Sequence, residues 1–321
     1  MRPSLLRLLG FFLTSVAAAQ RPTSRSSGTL TAEMLLSRIP PSAKPLVRRL
    51  LYMPSDALDR LLGRRPPLVP PRGLSDVGAG DFVKVGQQLL GLLRDCAGLV
   101  PSSSVLDVGC GIGRIAAALT GYLTPPGRYL GFDVRAADIR WCTRLISPSF
   151  PDFQFARVDV RSGEYNPGGA VEPEQFRFPF EDELFDVVIA ASVFTHLLPA
   201  AAVCYLFEAR RVLKPGGRLF ATFFLLSEGT QAAISQGLTG FRFRPFTPPC
   251  FVVDPNRPES GVAYPREEVT GWMSSHGLPP VAVLQGEWSG LPGGASFQDV
   301  VVARKEASLE AGRPSSCAVF G

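Results

Sequence analysis

Histidine is almost missing from this chain: His196 and His276 are the only two in 321 residues. A histidine-built metal site is therefore not expected. Cysteine occurs six times (Cys96, Cys110, Cys142, Cys204, Cys250, Cys317), with no C-x-x-C pair and no regular spacing. That pattern excludes a zinc site and a disulfide framework alike. Cys317 is fifth from the end, one place out of register for a prenylation box. No stretch reaches the roughly 18 uninterrupted apolar residues of a membrane-spanning helix. Acidic side chains are scarce in one region only: residues 1–72 hold 12 Lys/Arg against 3 Asp/Glu, and the remainder holds 21 against 25. The overall charge of +5 thus belongs to the N-terminal part. A body of net −4 has no electrostatic footprint for a phosphate backbone, and no nucleic-acid partner is expected. What is present is globular in character, 45% apolar and 19% charged, and long enough for one large α/β domain or two small ones.

The N-terminus has a targeting character. Arg2 and Arg7 precede an apolar stretch from Leu8 to Ala19, and Ala17-Ala18-Ala19 resembles a signal-peptidase site. Yet no acidic residue occurs before Glu33, and RPTSRSSGT continues an Arg/Ser-rich character that suits an organelle transit peptide equally well. An ordinary apolar helix is the third reading. Residues 1–30 are set apart as this leader, and 31–80 as a basic, Pro-rich region closed by the stiff RRPPLVPPRG.

From Asp81 onward a helical pattern (Phe82, Val85, Leu89, Leu90, Leu93) gives way to alternation. Candidate strands SVLDVG, RYLGFDV, FQFARVDV, FDVVIAAS and GRLFATFFLL are separated by helical RIAAALTGYL, AADIRWCTRLI and AAVCYLFEARRVL. Such alternation predicts a parallel sheet with helices on both faces. PPVAVLQGEW and SFQDVVVARK, either side of SGLPGGA, predict a hairpin adding an antiparallel edge.

The chemistry concentrates in VLDVGCGIGRIAAAL, residues 105–119. Ligands of open parallel sheets bind beyond the carboxyl ends of the strands. Gly109, Gly111 and Gly113 let backbone approach a ligand, and the helix start beyond supplies free N–H groups. The third glycine comes one residue too early for a dinucleotide fingerprint, and the Gly-Lys-Ser/Thr end of a P-loop is missing. Asp133 ends the next strand and suits the cis hydroxyls of a ribose.

VLDVGCGIGR, GFDV, ARVDV, FPFEDELFDVVIAASVFTHL and EARRVLKPGGRLF, in that order between about Val105 and Phe224, resemble the successive motifs of class I S-adenosylmethionine-dependent methyltransferases, within the broad small-molecule type 11/12 group. The resemblance implies a Rossmann-like, seven-stranded, mostly parallel sheet with an antiparallel C-terminal strand, spanning 81–305 and followed by a tail, 306–321. It implies S-adenosyl-L-methionine as cofactor. Asp107 would lie near its ammonium group, with Gly109, Cys110, Gly111 and Gly113 around the methionine and ribose parts. Asp133 would take the ribose hydroxyls, Asp159 the adenine amine, and Val160 would offer its backbone N–H to the ring. Ser192 and Val193 would lie near the reactive methyl. RSGEYNPGGAVEPEQFR, which intervenes after Asp159, departs from the family pattern and is expected to add to the acceptor pocket.

Methyl transfer from a sulfonium needs alignment and, for a hydroxyl acceptor, a proton acceptor. His196 is the candidate general base; ordering its loop through backbone hydrogen bonds is the equal alternative. His276, before a glycine, is read as a helix cap. Trp141 stands either beside the adenine or in the core. Tyr165, Asn166, Tyr264, Trp288 and Glu228 are weaker acceptor candidates, and TGFRFRPFTPPCFVVDPNRP is read as a lid or acceptor wall. The expected reaction is methylation of a small molecule, most simply at a hydroxyl. The alternatives are an RNA or protein target docked by residues 1–72, or a non-catalytic binder of this fold. An intracellular cofactor favours an organelle address for the leader, with the cytoplasm as alternative.

Overall fold

The computed structural model describes residues 44–74 and 80–306. The chain divides between Gly78 and Ala79 into two units. The leader, its cleavage-like alanines and the C-terminal tail lie outside the described residues.

In the first unit, α1 (Lys44–Leu61) is followed by a segment that turns back along it. The Asp56 carboxylate accepts the Arg72 and Gly73 N–H groups at 2.9 and 3.0 Å. Asp59 pairs with the Arg72 guanidinium at 3.2 Å. A Cβ on Gly73 would stand 3.1 Å from the Arg49 Cα, so the segment lies directly on the helix backbone.

The second unit begins with α2 (Phe82–Cys96), whose Asp81 side chain caps the Lys84 N–H at 2.9 Å. There follow β1 (Ser104–Val108), α3 (Arg114–Leu119), β2 (Arg128–Asp133), α4 (Ala136–Leu145), β3 (Phe153–Arg157), β4 (Phe185–Ala190), α5 (Pro199–Val212) and β5 (Leu213–Phe223). After β6 (Leu225–Leu226), α6 (Glu228–Ser235), β7 (Arg244–Pro245), β8 (Phe251–Val252), β9 (Val262–Pro265) and α7 (Arg266–Ser275), the unit closes with β10 (Pro280–Leu284) and β11 (Asp299–Arg304).

Seven strands form one sheet in the order β10-β11-β5-β4-β1-β2-β3. All neighbours are parallel except those of β11, which runs against both β5 and β10. All five residues of β1, and all of β11 but Arg304, are buried. Strands buried on successive residues are covered on both faces, here by the helices. Leu106, Phe132, Phe178, Phe185, Phe194 and Phe223 form the centre of the main core. Strands β6, β9, β8 and β7 make a small second sheet beyond the end of β5.

The C-terminal hairpin forms as expected, with β11 antiparallel beside β5 and half-exposed β10 at the edge of the sheet. One expectation needs correction. FQFARVDV is strand only as far as Arg157, because its partner β2 ends at Asp133; Asp159 lies two residues beyond.

One buried carboxylate fastens the C-terminal strands to the rest. Asp299 accepts the Leu225 N–H (2.8 Å), the Gly286 N–H (2.7 Å) and the Trp288 indole N–H (2.6 Å). Replacing it by alanine strands three buried donors. Asp299→Ala is expected to lower the unfolding free energy by about 3 kcal/mol or more, read by urea denaturation; a loss below about 1 kcal/mol would show that water replaces the carboxylate.

Candidate functional site

The carboxyl ends of β1, β2 and β4 converge on the loop 109–113. Asp133, buried at the end of β2, accepts the Gly111 N–H with Oδ2 and the Arg135 N–H with Oδ1, both at 2.8 Å. Burial pushes its carboxyl up, and the N–H groups of Arg135 and Gly111 oppose the shift. Each oxygen keeps a further lone pair for a ligand hydroxyl.

The three glycines, all at positive φ, do three different things. A Cβ on Gly109 would stand 2.7 Å from Val193 Cγ2, so this glycine admits Val193 onto the loop. A Cβ on Gly113 would meet Cys142 Sγ at 2.9 Å and Ile146 Cδ1 at 3.0 Å, so this one admits α4. Only at Gly111 would a Cβ meet open space. Cys110 is buried, its side chain 3.0 Å from the missing Cβ of Gly131. What the loop presents to a ligand at Cys110 and Gly113 is therefore backbone.

Asp107, in β1, is buried beside Asp133, and its Oδ2 accepts the Tyr129 hydroxyl at 2.6 Å. Burial is the main cause that pushes its pKa up, to about 7; the Tyr129 hydroxyl pulls it down, and the neighbouring Asp133 charge adds to the rise. Beyond β3, Asp159 is exposed, with Oδ1 held by Arg157 (3.0 Å) and Asn166 (3.2 Å). Val160 is buried and its carbonyl accepts from the Asn166 amide at 2.9 Å. Its own N–H makes no hydrogen bond among the described residues. Trp141, on α4, has a buried indole N–H without a hydrogen-bond partner.

After β4 the chain bends sharply. Ser192 sits at φ 57°, its N–H donating to Thr222 Oγ1 at 2.7 Å and its hydroxyl to Gln298 Oε1 at 3.0 Å. Gln298 also takes the Thr222 hydroxyl at 2.5 Å. The Ser192 side chain is thus turned toward β5 and the start of β11, while Val193 lies on the glycine loop. A single 3-10 turn, Phe194–His196, then carries His196 to two other segments. Its Nδ1 lies 2.7 Å from the Glu259 carbonyl, and its Nε2 3.4 Å from the Tyr165 hydroxyl. A carbonyl only accepts, so Nδ1 carries the proton and the Nε2 lone pair faces Tyr165. Burial lowers the pKa of the half-buried ring and keeps it neutral.

Two loops close around this imidazole. The Glu259 carboxylate accepts the Gly163 N–H at 2.6 Å and the Ser162 hydroxyl at 3.2 Å, and Glu164 pairs with Arg257. The Arg135 guanidinium lies over the Tyr165 ring, 5.9 Å from its centre, linking this side to the Asp133 side.

His276, Trp288 and Tyr264 are held by the fold. His276 bonds the Trp272 carbonyl at the end of α7, a cap as expected. Trp288 and Tyr264 are core residues, the latter donating to the Leu197 carbonyl at 2.5 Å. Glu228 is exposed at the start of α6. Phe241 and Phe243 pack on Phe224 and Trp288, so the Arg/Phe alternation is one face in and one face out. Tyr129, Thr222, Glu259 and Gln298 escaped sequence reading. No local signal marks them, since each meets its partner across at least 22 residues.

Residues 106–221 match the family model of a methyltransferase domain. An uncharacterised protein encoded in a transposon of Streptomyces fradiae is 28% identical over 176 residues; the match covers 54% of this chain and 46%, less than half, of that relative. A protein of Pyrococcus horikoshii shares the fold, with a TM-score of 0.50 at 18% identity over 73% of this chain and 95% of its own. An S-adenosylmethionine-dependent methyltransferase of Aquifex aeolicus superposes at 0.44, with 18% identity, over 70% and 99%.

The residues present fit S-adenosylmethionine. The open space over Gly111, the unpaired Val160 N–H and the carboxylates of Asp107 and Asp133 are the backbone and charge complement of such a ligand. Asp133→Ala is expected to weaken its binding by about 10- to 100-fold in calorimetry, the worth of charge-assisted hydrogen bonds. Because Asp107 is neutral below about pH 7, affinity for the cationic cofactor should fall by up to about tenfold per pH unit below that point. Tyr129→Phe, which removes the bond that lowers the Asp107 pKa, should move this limb to higher pH; an unshifted limb would separate it from Asp107.

Proposed function

Residues 106–221 are a class I S-adenosylmethionine-dependent methyltransferase domain, and from that premise we propose that this chain methylates a hydroxyl group of a small molecule, with His196 as proton acceptor. When bound, S-adenosylmethionine supplies an electrophilic methyl group with its own leaving group. The chain's residues then have two tasks, to align the acceptor oxygen and to remove its proton.

The observation that carries the reading is the tautomer of His196. The Glu259 carbonyl holds the Nδ1 proton at 2.7 Å, and Nε2 is left as a base with only the long Tyr165 contact of 3.4 Å. An acceptor hydroxyl that enters beside Tyr165 competes easily for such a lone pair. The base is neutral at physiological pH because its pKa is lowered. The two loops joined by Glu259 and by the Glu164–Arg257 pair bound the space over the imidazole, and this enclosure favours a small acceptor over a polymer. On the cofactor side, we assign the ribose to Asp133, the ammonium group to Asp107, and the adenine to Asp159 and the Val160 N–H. Val193, resting on Gly109, forms the wall between the two sides.

His196→Gln is expected to lower turnover at saturating cofactor by about 100-fold or more while leaving calorimetric cofactor affinity unchanged. The wild-type rate should fall only below the ordinary histidine range, since its pKa is lowered. Unchanged turnover in the variant would assign His196 to loop ordering and remove the hydroxyl preference with it. Methyl-labelled cofactor incubated with fractionated metabolites identifies the acceptor.

A further inference from the structure

Among the described residues, helix α1 carries an exposed apolar stripe. Leu46, Leu50, Met53, Ala57 and Leu61 recur at spacings of three and four and therefore share one face. The four large side chains are 64%, 59%, 60% and 84% exposed, where a core-facing stripe would be buried. Asp59, opposite the stripe, and Asp56, on its flank about 60° from Met53, hold the returning segment through Arg72 and Gly73. That arrangement uses up the helix's two acidic groups. Exposed Arg49 and Arg60 fall within about 60° of the stripe on a helical wheel, and exposed Arg64 follows the helix end.

We propose that this face of α1 docks the protein on an anionic membrane surface, with Leu46, Leu50, Met53 and Leu61 entering the headgroup boundary and Arg49, Arg60 and Arg64 meeting the lipid charges. An apolar stripe bordered by cations, with the helix's two acids engaged by the returning segment, is the pattern of an interfacial helix. A nucleic-acid phosphate backbone would reward the arginines and leave the leucines in water. A second copy of the chain would bring the same cations against these. Residues 1–43, with five arginines and one acid, would also bring like charge. The contact needs no spanning segment, and no helix among the described residues is long and apolar enough to cross a membrane.

Cosedimentation of the full chain with phosphatidylserine–phosphatidylcholine vesicles tests the assignment. Binding is expected there, and about tenfold weaker with phosphatidylcholine alone or at high salt. Leu50→Glu/Met53→Glu should reduce it by about tenfold or more, and Arg49→Glu/Arg60→Glu should abolish the preference for anionic lipid. These side chains are exposed, so both variants should keep the wild-type thermal midpoint without vesicles. A fall in that midpoint would show the stripe covered within the chain and overturn the proposal. So would vesicle binding undiminished in Leu50→Glu/Met53→Glu, which would place the contact elsewhere, or a preference for RNA over vesicles that the same variant retains.

Discussion

The Asp133 carboxylate sits at the end of β2, a strand paired on both sides, and its two oxygens accept the Gly111 and Arg135 N–H groups. Those two bonds set the path of the chain at the ligand end of the sheet. One holds the glycine loop down onto β2; the other turns the chain into α4. With the loop in that position, Gly109 meets Val193 and Gly113 meets Cys142 and Ile146, and neither position has room for a Cβ. Strand β4 and helix α4 are thereby registered against the same loop. A buried carboxylate is costly to place, and here backbone N–H groups offset part of the desolvation. The same group that orders the loop is the one proposed to meet the ribose, so on that reading ligand geometry and loop geometry share a single origin.

How much of this was legible in the sequence depends on the range of the interactions. VLDVGCGIGR and the Asp at the end of the next strand are local patterns whose spacing is set by one strand, one turn and one helix, and they fall together as expected. The parallel sheet followed from alternation of strand and helix, and its seven strands were what the family resemblance implied. The place of β11 did not follow, because a hairpin's register against β5 is chosen by burial on two faces and not by its turn. Glycine spacing indicated close approach, but not to what: only Gly111 faces open space, and Gly109 and Gly113 approach other parts of the chain. His196 and Ser192 meet their most distant partners 63 and 106 residues away, at Glu259 and Gln298, outside any periodic pattern.

The two sides of the site are held by different kinds of force. On the cofactor side, loop and strand ends are tied by buried hydrogen bonds and by glycine contacts that leave no slack, so the geometry is rigid. On the acceptor side, the joining groups are largely exposed: Arg161 with Glu172, Glu164 with Arg257, and Glu259 with the Gly163 N–H. Exposed ion pairs contribute little individually and are screened by salt. The His196 ring is the exception, anchored through Nδ1 to a backbone carbonyl and shielded from water. An imidazole anchored to backbone between loosely tied loops keeps its position when the two loops part, which is what the proposed role as proton acceptor requires. That division explains why the cofactor half of such a site is written in short motifs, whereas the acceptor half is written in the segments, 161–172 and 254–260, that depart most from them. A change of acceptor can be accommodated there by altering surface residues whose loss costs the fold almost nothing.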